Sequence, residues 1–244
     1  MKRLSFRRSI RTALSVVLAC MLSLGLIPAV NAEDMVAEEK PVLNGGVYEI
    51  ATAEQLLYLS QNYGAEDCPK EATYKLTADI DMSLVTNYKP IGRFYGVFNG
   101  HYHVVSNLTI DRGDSGTVGF FNHLGDSDVQ AVVRNLGLVD IYVRGTNTVG
   151  GICGMLWGTT EEEAAKATIR NCYTVVTVRE EGSADSQGGL VGRSLNPYTT
   201  IENSYAAGVV EGYNRVGGLV GDLREGGIVG NCVAANPMVN GSEA

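Results

Sequence analysis

GGLVGRSLNPYTTIENSYAAGVVEG, residues 188–212, contains the whole unit from which the C-terminal half of the chain is built. Its Gly-Gly pair recurs upstream in VGGICG from Val149 and downstream in VGGLVG from Val216. Gly150, Gly151, Gly188, Gly189, Gly217 and Gly218 therefore hold equivalent places. Its asparagine-centred segment, NSYAAGVV from Asn203, recurs as NCYTVVTV from Asn171 and NCVAANPMV from Asn231. Two degenerate copies come earlier, NLTI from Asn107 and NLGLVDI from Asn135, and successive asparagines are 28, 36, 32 and 28 residues apart. Self-similarity at a period of roughly 20–50 residues marks a stacked array, in which each unit buries its apolar face only against its neighbours.

The sequence predicts an all-β fold: a β-solenoid of right-handed, parallel β-helix-like stacked repeats with a short N-terminal capping helix. Asn107, Asn135, Asn171, Asn203 and Asn231 are expected to form a structural ladder, with side-chain amides bonding from unit to unit; the competing reading is that each caps its own turn. Ile169, Tyr173, Leu190, Ile201, Tyr205 and Leu219 are expected to fill the core.

Residues 1–32 read as a signal peptide. Lys2, Arg3, Arg7, Arg8 and Arg11 precede an apolar run, and Ala29-Val30-Asn31-Ala32 places small residues where cleavage after about Ala32 is expected. Pro28 and Gly25 interrupt the run and argue against a stable membrane anchor. Residues 33–45 are acidic and read as a flexible lead-in; residues 46–240 read as one solenoid domain, clearest over 149–240. Thr52 and Gln55 form a capping box ahead of Leu56, Leu57, Leu59 and Tyr63, the one convincing helix, and it suits the open edge of a strand array.

Without its five leading cations the chain keeps 14 Lys+Arg against 27 Asp+Glu, a net charge of −13. Such a balance excludes nucleic acid and anionic lipid as partners and leaves proteins, glycans and the cell envelope. Cys68, Cys153, Cys172 and Cys232 follow the leader. Cys172 and Cys232 share a repeat position with Ser204 between them, so about 9.6 Å separates them, beyond the roughly 7 Å that a disulfide spans. Cys153 with Cys172 stays open.

Several blocks in order resemble the GLUG-motif repeats of bacterial surface proteins and the segment that precedes them: YEIATAEQL from Tyr48, YKLTADIDMS from Tyr74, PIG from Pro90, FNGHYHVVSNLTI from Phe98, then the GGLVG units. The resemblance implies a secreted or wall-associated β-solenoid, as in adhesins and the non-catalytic parts of large immunoglobulin-A-cleaving surface proteases. Two departures qualify it. There is no H-E-x-x-H helix, and no wall-sorting signal precedes Ala244, where the chain stops in mid-repeat.

No catalytic, cofactor-binding or metal site is expected. His101 and His103 share a strand face but have no matching third ligand, and Asp79 with Asp81 reads as a strand-and-turn element. Calcium at Asp111, Asp114, Asp126 and Asp128 is the residual cofactor reading. The expected function is a non-catalytic extracellular repeat module for adhesion or for contact with proteins, glycans or the envelope. Exposed aromatics such as Tyr198 and Tyr213 are its candidate contacts. The alternatives are a β-helix polysaccharide lyase or hydrolase, and a truncated structural part of a larger surface protein.

Overall fold

Asn44-Gly45-Gly46-Val47 starts the domain with a tight hairpin. Gly45 and Gly46 both take positive φ, 57° and 82°, the requirement of a two-residue turn whose twist matches its strands. It pairs β1 (Val42–Asn44) antiparallel with β2 (Val47–Ile50). Part of the stretch expected to be a flexible lead-in is therefore an edge strand, because its turn glycines fix a register that composition alone does not reveal. The computed structural model describes residues 37–113, 116–126, 129–158, 167–180 and 185–241. The expected signal peptide lies outside them, as do the inserts at 159–166 and 181–184.

Helix α1 (Ala53–Asn62) follows directly. The Thr52 hydroxyl accepts from the Gln55 N–H at 3.1 Å, and the Gln55 side chain reaches back to the Ala51 N–H at 2.7 Å. Leu56, Leu57 and Leu59 are fully buried. The helix packs against the strand Ile91–Phe94.

Beyond it the chain is a solenoid whose coils visit four parallel sheets in turn, here called faces one to four. In the coil from Ala131 these strands are Ala131–Arg134, Gly137–Gly145, Thr148–Gly150 and Cys153–Trp157. Four coils, beginning at Gly96, Ala131, Ala167 and Thr199, carry all four faces. A partial coil precedes them, and Ile228–Gly230 with Val233–Gly241 closes the described chain.

Residues in register stack into columns. On face one, Tyr74, Phe98, Val133, Ile169, Ile201 and Val229 follow one another. On face four the column is Ile91, Phe121, Cys153, Val191 and Val220. Phe94, Phe98, Phe120 and Phe121 interlock where the two meet, with ring centroids 4.9–6.3 Å apart. The column thins toward the C-terminus. Val229, Val233 and Ile228 are 36%, 58% and 59% exposed there.

The repeat glycines follow from the close approach of faces three and four. A β-carbon on Gly150, Gly188 or Gly217 would strike the carbonyl oxygen of Cys153, Val191 or Val220, where face four begins. One on Gly151 or Gly189 would strike the matching glycine carbonyl of the next coil. The third glycine of each unit, absent from the set first singled out, is equally constrained. At Gly154, Gly192 and Gly221 the β-carbon would lie 2.6, 2.7 and 2.5 Å from the backbone nitrogen of Val118, Val149 and Gln187 on the preceding coil. Backbone cannot yield as a flexible side chain can. Gly92 occupies the same column with open space around it. We expect Gly192→Val to remove at least about 2 kcal/mol or to prevent folding, and Gly92→Ala to move the urea midpoint little. Equal midpoints would refute this account.

Candidate functional site

From Ala131 onward, each coil turns from face one to face two at an asparagine. Asn135, Asn171, Asn203 and Asn231 have φ of 53°, 52°, 48° and 51°, the left-handed region that asparagine tolerates better than other side chains. The backbone at this corner bonds along the axis. The N–H groups of Asn135, Asn171 and Asn203 donate at 3.1 Å to Arg170, Glu202 and Gly230 of the following coil. The amides add side-chain bonds: Asn171 donates to Asn135 at 3.1 Å and Asn231 to Asn203 at 3.3 Å.

Asn107 is not in this column. It donates instead to Asp81, at 3.0 Å, on a second corner within face two. Gly100 lies alongside Asn135 at the place expected for it, and Asn99, in register with Arg134 one residue earlier, supplies the amide: its side-chain oxygen accepts from Asn135 at 3.1 Å and from the His101 N–H at 3.0 Å. The sequence misassigns the position because NLTI repeats the asparagine but not the strand before it. The column also runs along an exposed or half-exposed rim and not in the interior.

The residue after each corner points inward. Cys172, Ser204 and Cys232 donate to the carbonyls two residues back, at 3.2, 2.8 and 3.2 Å. Cys68, Cys153, Cys172 and Cys232 are all free thiols, and burial pushes the pKa of Cys172 up to about 12. The next residue points outward, which corrects Tyr173 and Tyr205: they are not core. Their rings stack face to face on the surface of face two, 5.1 Å apart and 9° from parallel. Strand alternation requires this once the corner residue is inside. Tyr198 and Tyr213 are half-buried.

The outer surface of face four carries the densest arrangement of recognition chemistry. Arg93, His123, Met155, Arg193 and Asp222 are in register on successive coils, a row about 19 Å long at the strand spacing of parallel sheets. At one end the Arg93 guanidinium lies 5.2 Å from the centre of the Trp157 ring and bonds Asp126 at 2.6 Å. The Tyr95 hydroxyl donates to the same carboxylate at 3.2 Å. At the other end Arg193, Arg215 and Arg224 share two carboxylates. Asp185 takes Arg193 and Arg215, and Asp222 takes Arg224 at 2.7 Å and Arg193 at 3.3 Å. Three guanidinium groups on two carboxylates leave a positive excess among the described residues, in a chain of net charge −8. The sequence hides this row, since its members lie 29–38 residues apart and only the register brings them together.

The remaining candidates are occupied by local bonds. Asp79 accepts from the Val104 N–H at 3.0 Å and faces His103 Nδ1 at 3.1 Å; these bonds, the first above all, hold its carboxyl below the usual range. Asp81 accepts from Asn107 and the Ser83 N–H. Of the turn aspartates, Asp111 pairs with Arg144 at 2.6 Å and Asp126 with Arg93; Asp114 and Asp128 lie outside the described residues. The Ser194 hydroxyl is buried against Thr199 Oγ1 at 2.6 Å. Among the described residues no cluster of three or more His, Cys, Asp or Glu is placed to hold a metal ion, and no helix is long and apolar enough to cross a membrane.

No family model matches the chain. Over 174 residues, 67% of the chain, it is 34% identical to halomucin of Haloquadratum walsbyi (strain DSM 16790 / HBSQ001), and the match spans 2% of that protein's length. In three dimensions it is similar to the crystal structure of a candidate immunoglobulin A1 protease from Bacteroides ovatus. The TM-score is 0.59 at 20% identity, covering 82% of this chain and 69% of that one. At that identity the likeness establishes a shared fold.

Two measurements check the site's physics. Asn171→Gly, which keeps the left-handed corner but loses the amide, should cost about 1 kcal/mol. Asn171→Val, which also forces a β-branched residue to φ 52°, should cost at least about 2 kcal/mol in the same denaturation series; equal losses would remove the backbone role. Burial, with Arg93 adding to it, holds folded His123 below its ordinary pKa of 6.5. The unfolded chain therefore takes up that proton first, and the stability it reports is present above about pH 6.5 and declines as pH falls below it. In His123→Gln the fall in melting temperature between about pH 7 and 5 should be shallower; an unchanged slope would rule out His123 as its source.

Proposed function

We propose that this chain is a non-catalytic extracellular repeat module, of the GLUG-motif kind, that holds an envelope glycan or glycoprotein along face four of its solenoid. The observation that carries this reading is the Arg93–His123–Met155–Arg193–Asp222 row with Trp157 beside it. A ligand with a repeating structure meets chemically distinct groups at a fixed interval on a straight, parallel surface. The indole supplies an apolar plate for a sugar ring, and the guanidinium groups supply charged donors.

The ordered sequence blocks support the GLUG assignment. The basic, apolar N-terminal stretch supports export, with cleavage after about Ala32. In this reading the coil is right-handed, as parallel crossover connections nearly always are. Helix α1 caps the N-terminal end of the array, where faces three and four have no earlier strand. Recognition is by complementarity along the face, with no bond made or broken.

The test uses the chain from Glu33 on immobilised acidic and neutral polysaccharides. Saturable capture is expected, weakened about tenfold in Arg93→Gln and in Trp157→Ala, while Tyr205→Ala on face two binds as the parent does. Retained capture in both face-four variants would sink this reading, and so would shortening of the polysaccharide during the assay, which would make the protein an enzyme.

A further inference from the structure

Two cations on the outer surface of face one stand without a partner. Arg134 and Arg170 are in register on successive coils, their backbones about 4.8 Å apart at the strand spacing. Among the described residues no carboxylate is within ion-pair reach of either guanidinium and no hydrogen bond holds one, whereas every other described arginine has a partner. Glu202 follows Arg170 in the same row and makes no ion pair with it. Arg134 Nε is enclosed, so that residue offers its terminal nitrogens. In a chain with 27 Asp+Glu against 19 Lys+Arg, two adjacent guanidinium groups left unneutralised are a place for an anion from outside.

The corner beside them is open as well. The asparagine ladder is broken at one step: Asn135 bonds Asn99, Asn171 bonds Asn135 and Asn231 bonds Asn203, but no side-chain bond joins Asn203 to Asn171. Both residues are exposed, so Asn171 Oδ1 offers an acceptor and Asn203 Nδ2 a donor at the break. Two residues beyond the corner, the Tyr173–Tyr205 stack presents the Tyr205 ring, 41% exposed. An amide ladder is continued by another amide, whose carbonyl accepts from Asn203 and whose N–H donates to Asn171. A carboxylate answers the guanidinium forks, and an apolar side chain answers the tyrosine. We propose that the ridge between faces one and two docks an acidic, extended peptide segment of a partner protein. Its carboxylates meet Arg134 and Arg170, one peptide group spans the Asn171–Asn203 break, and an apolar side chain lies on Tyr205. Arginine and tyrosine are also the residues that carry most of the energy of protein interfaces, and a uronate polymer offers the charge without the amide. The ridge is on other faces than the Arg93–Asp222 row and stands whether or not that row binds a polymer.

Fluorescence anisotropy of the full chain with a labelled ten-residue peptide alternating glutamate and leucine tests it. That peptide should bind at least about tenfold more tightly than its glutamine counterpart, and Arg134→Gln and Arg170→Gln should each weaken it about tenfold. Both variants should melt close to the parent, since neither guanidinium bonds anything in the described chain. Tyr205→Ala should weaken binding severalfold, while Arg93→Gln on face four binds the peptide as the parent does. No saturable binding of the glutamate peptide, or binding unchanged in Arg170→Gln, would overturn the proposal. An oligoglucuronate of equal charge binding as tightly would overturn it too, since it would show a surface that reads charge and no amide. Peptide binding lost in Arg170→Gln with polysaccharide capture kept, and the reverse in Arg93→Gln, would support two separate surfaces.

Discussion

Faces three and four run so close together that no β-carbon fits between their backbones, and the rest of the molecule depends on that approach. Three glycines per unit satisfy it, each against a different neighbour: the start of face four, the next coil's glycine carbonyl, and the previous coil's face-three strand. Two of the three contacts are between coils. A substitution at one repeat therefore disturbs the one above or below it, and the motif must be repeated as a whole for the array to propagate. The core is filled from faces one, two and four: Leu138, Val143, Val178 and Val210 of face two are fully buried, and Phe94, Phe98, Phe120 and Phe121 interlock where faces one and four meet.

The asparagine corner is the second device, and it sets the direction of the side chains that open face two, up to the second corner within that face. A left-handed residue reverses the pleat locally, so the following Cys or Ser enters the core and the Tyr after it leaves. Thiol and hydroxyl do the same work there, each closing a bond to the carbonyl two residues back. That explains why Cys172, Ser204 and Cys232 interchange with no disulfide involved. The exposed tyrosine stack is a by-product of this parity, and in the coil from Ala131 Gly137 makes room for the Tyr173 ring, whose atoms lie 2.5 Å from where its β-carbon would be.

The period and the glycine and asparagine blocks were readable because they are local: a turn conformation or a backbone contact demands the same residue type at each recurrence. Residues joined only by register were not readable. Asn107 carried the right letter in the wrong strand context, and Asn99 met the Asn135 amide from one residue before the corner, without the motif. Tyr173 and Tyr205 were misplaced because apolar content alone does not report which way a strand alternates after a left-handed corner. Gln187 shows the same limit. It stands fully buried in register with Val149 and Val216, its amide donating to the Asn147 carbonyl at 3.2 Å, and nothing in its neighbours along the chain announces that position. The face-four row was invisible for this reason: each residue looks like an ordinary surface side chain until coils are stacked.

The constraint binds wherever a glycine of the column has a face-three strand on the coil before it, and it lapses at Gly92. Ahead of the strand Ile91–Phe94 the chain forms the antiparallel β1–β2 hairpin and α1, which buries three leucines, and Gly92 has no neighbour within 4 Å of its β-carbon position. The face-four row is built differently along its length. Its Arg93–Trp157 end lies beside the aromatic cluster of Phe94 and Phe121, with the guanidinium over the indole ring, whereas at its Arg193–Asp222 end the guanidinium groups are held by ion pairs to Asp185 and Asp222. Packing positions the first cation and charge pairing positions the others, so added salt loosens the second end more than the first.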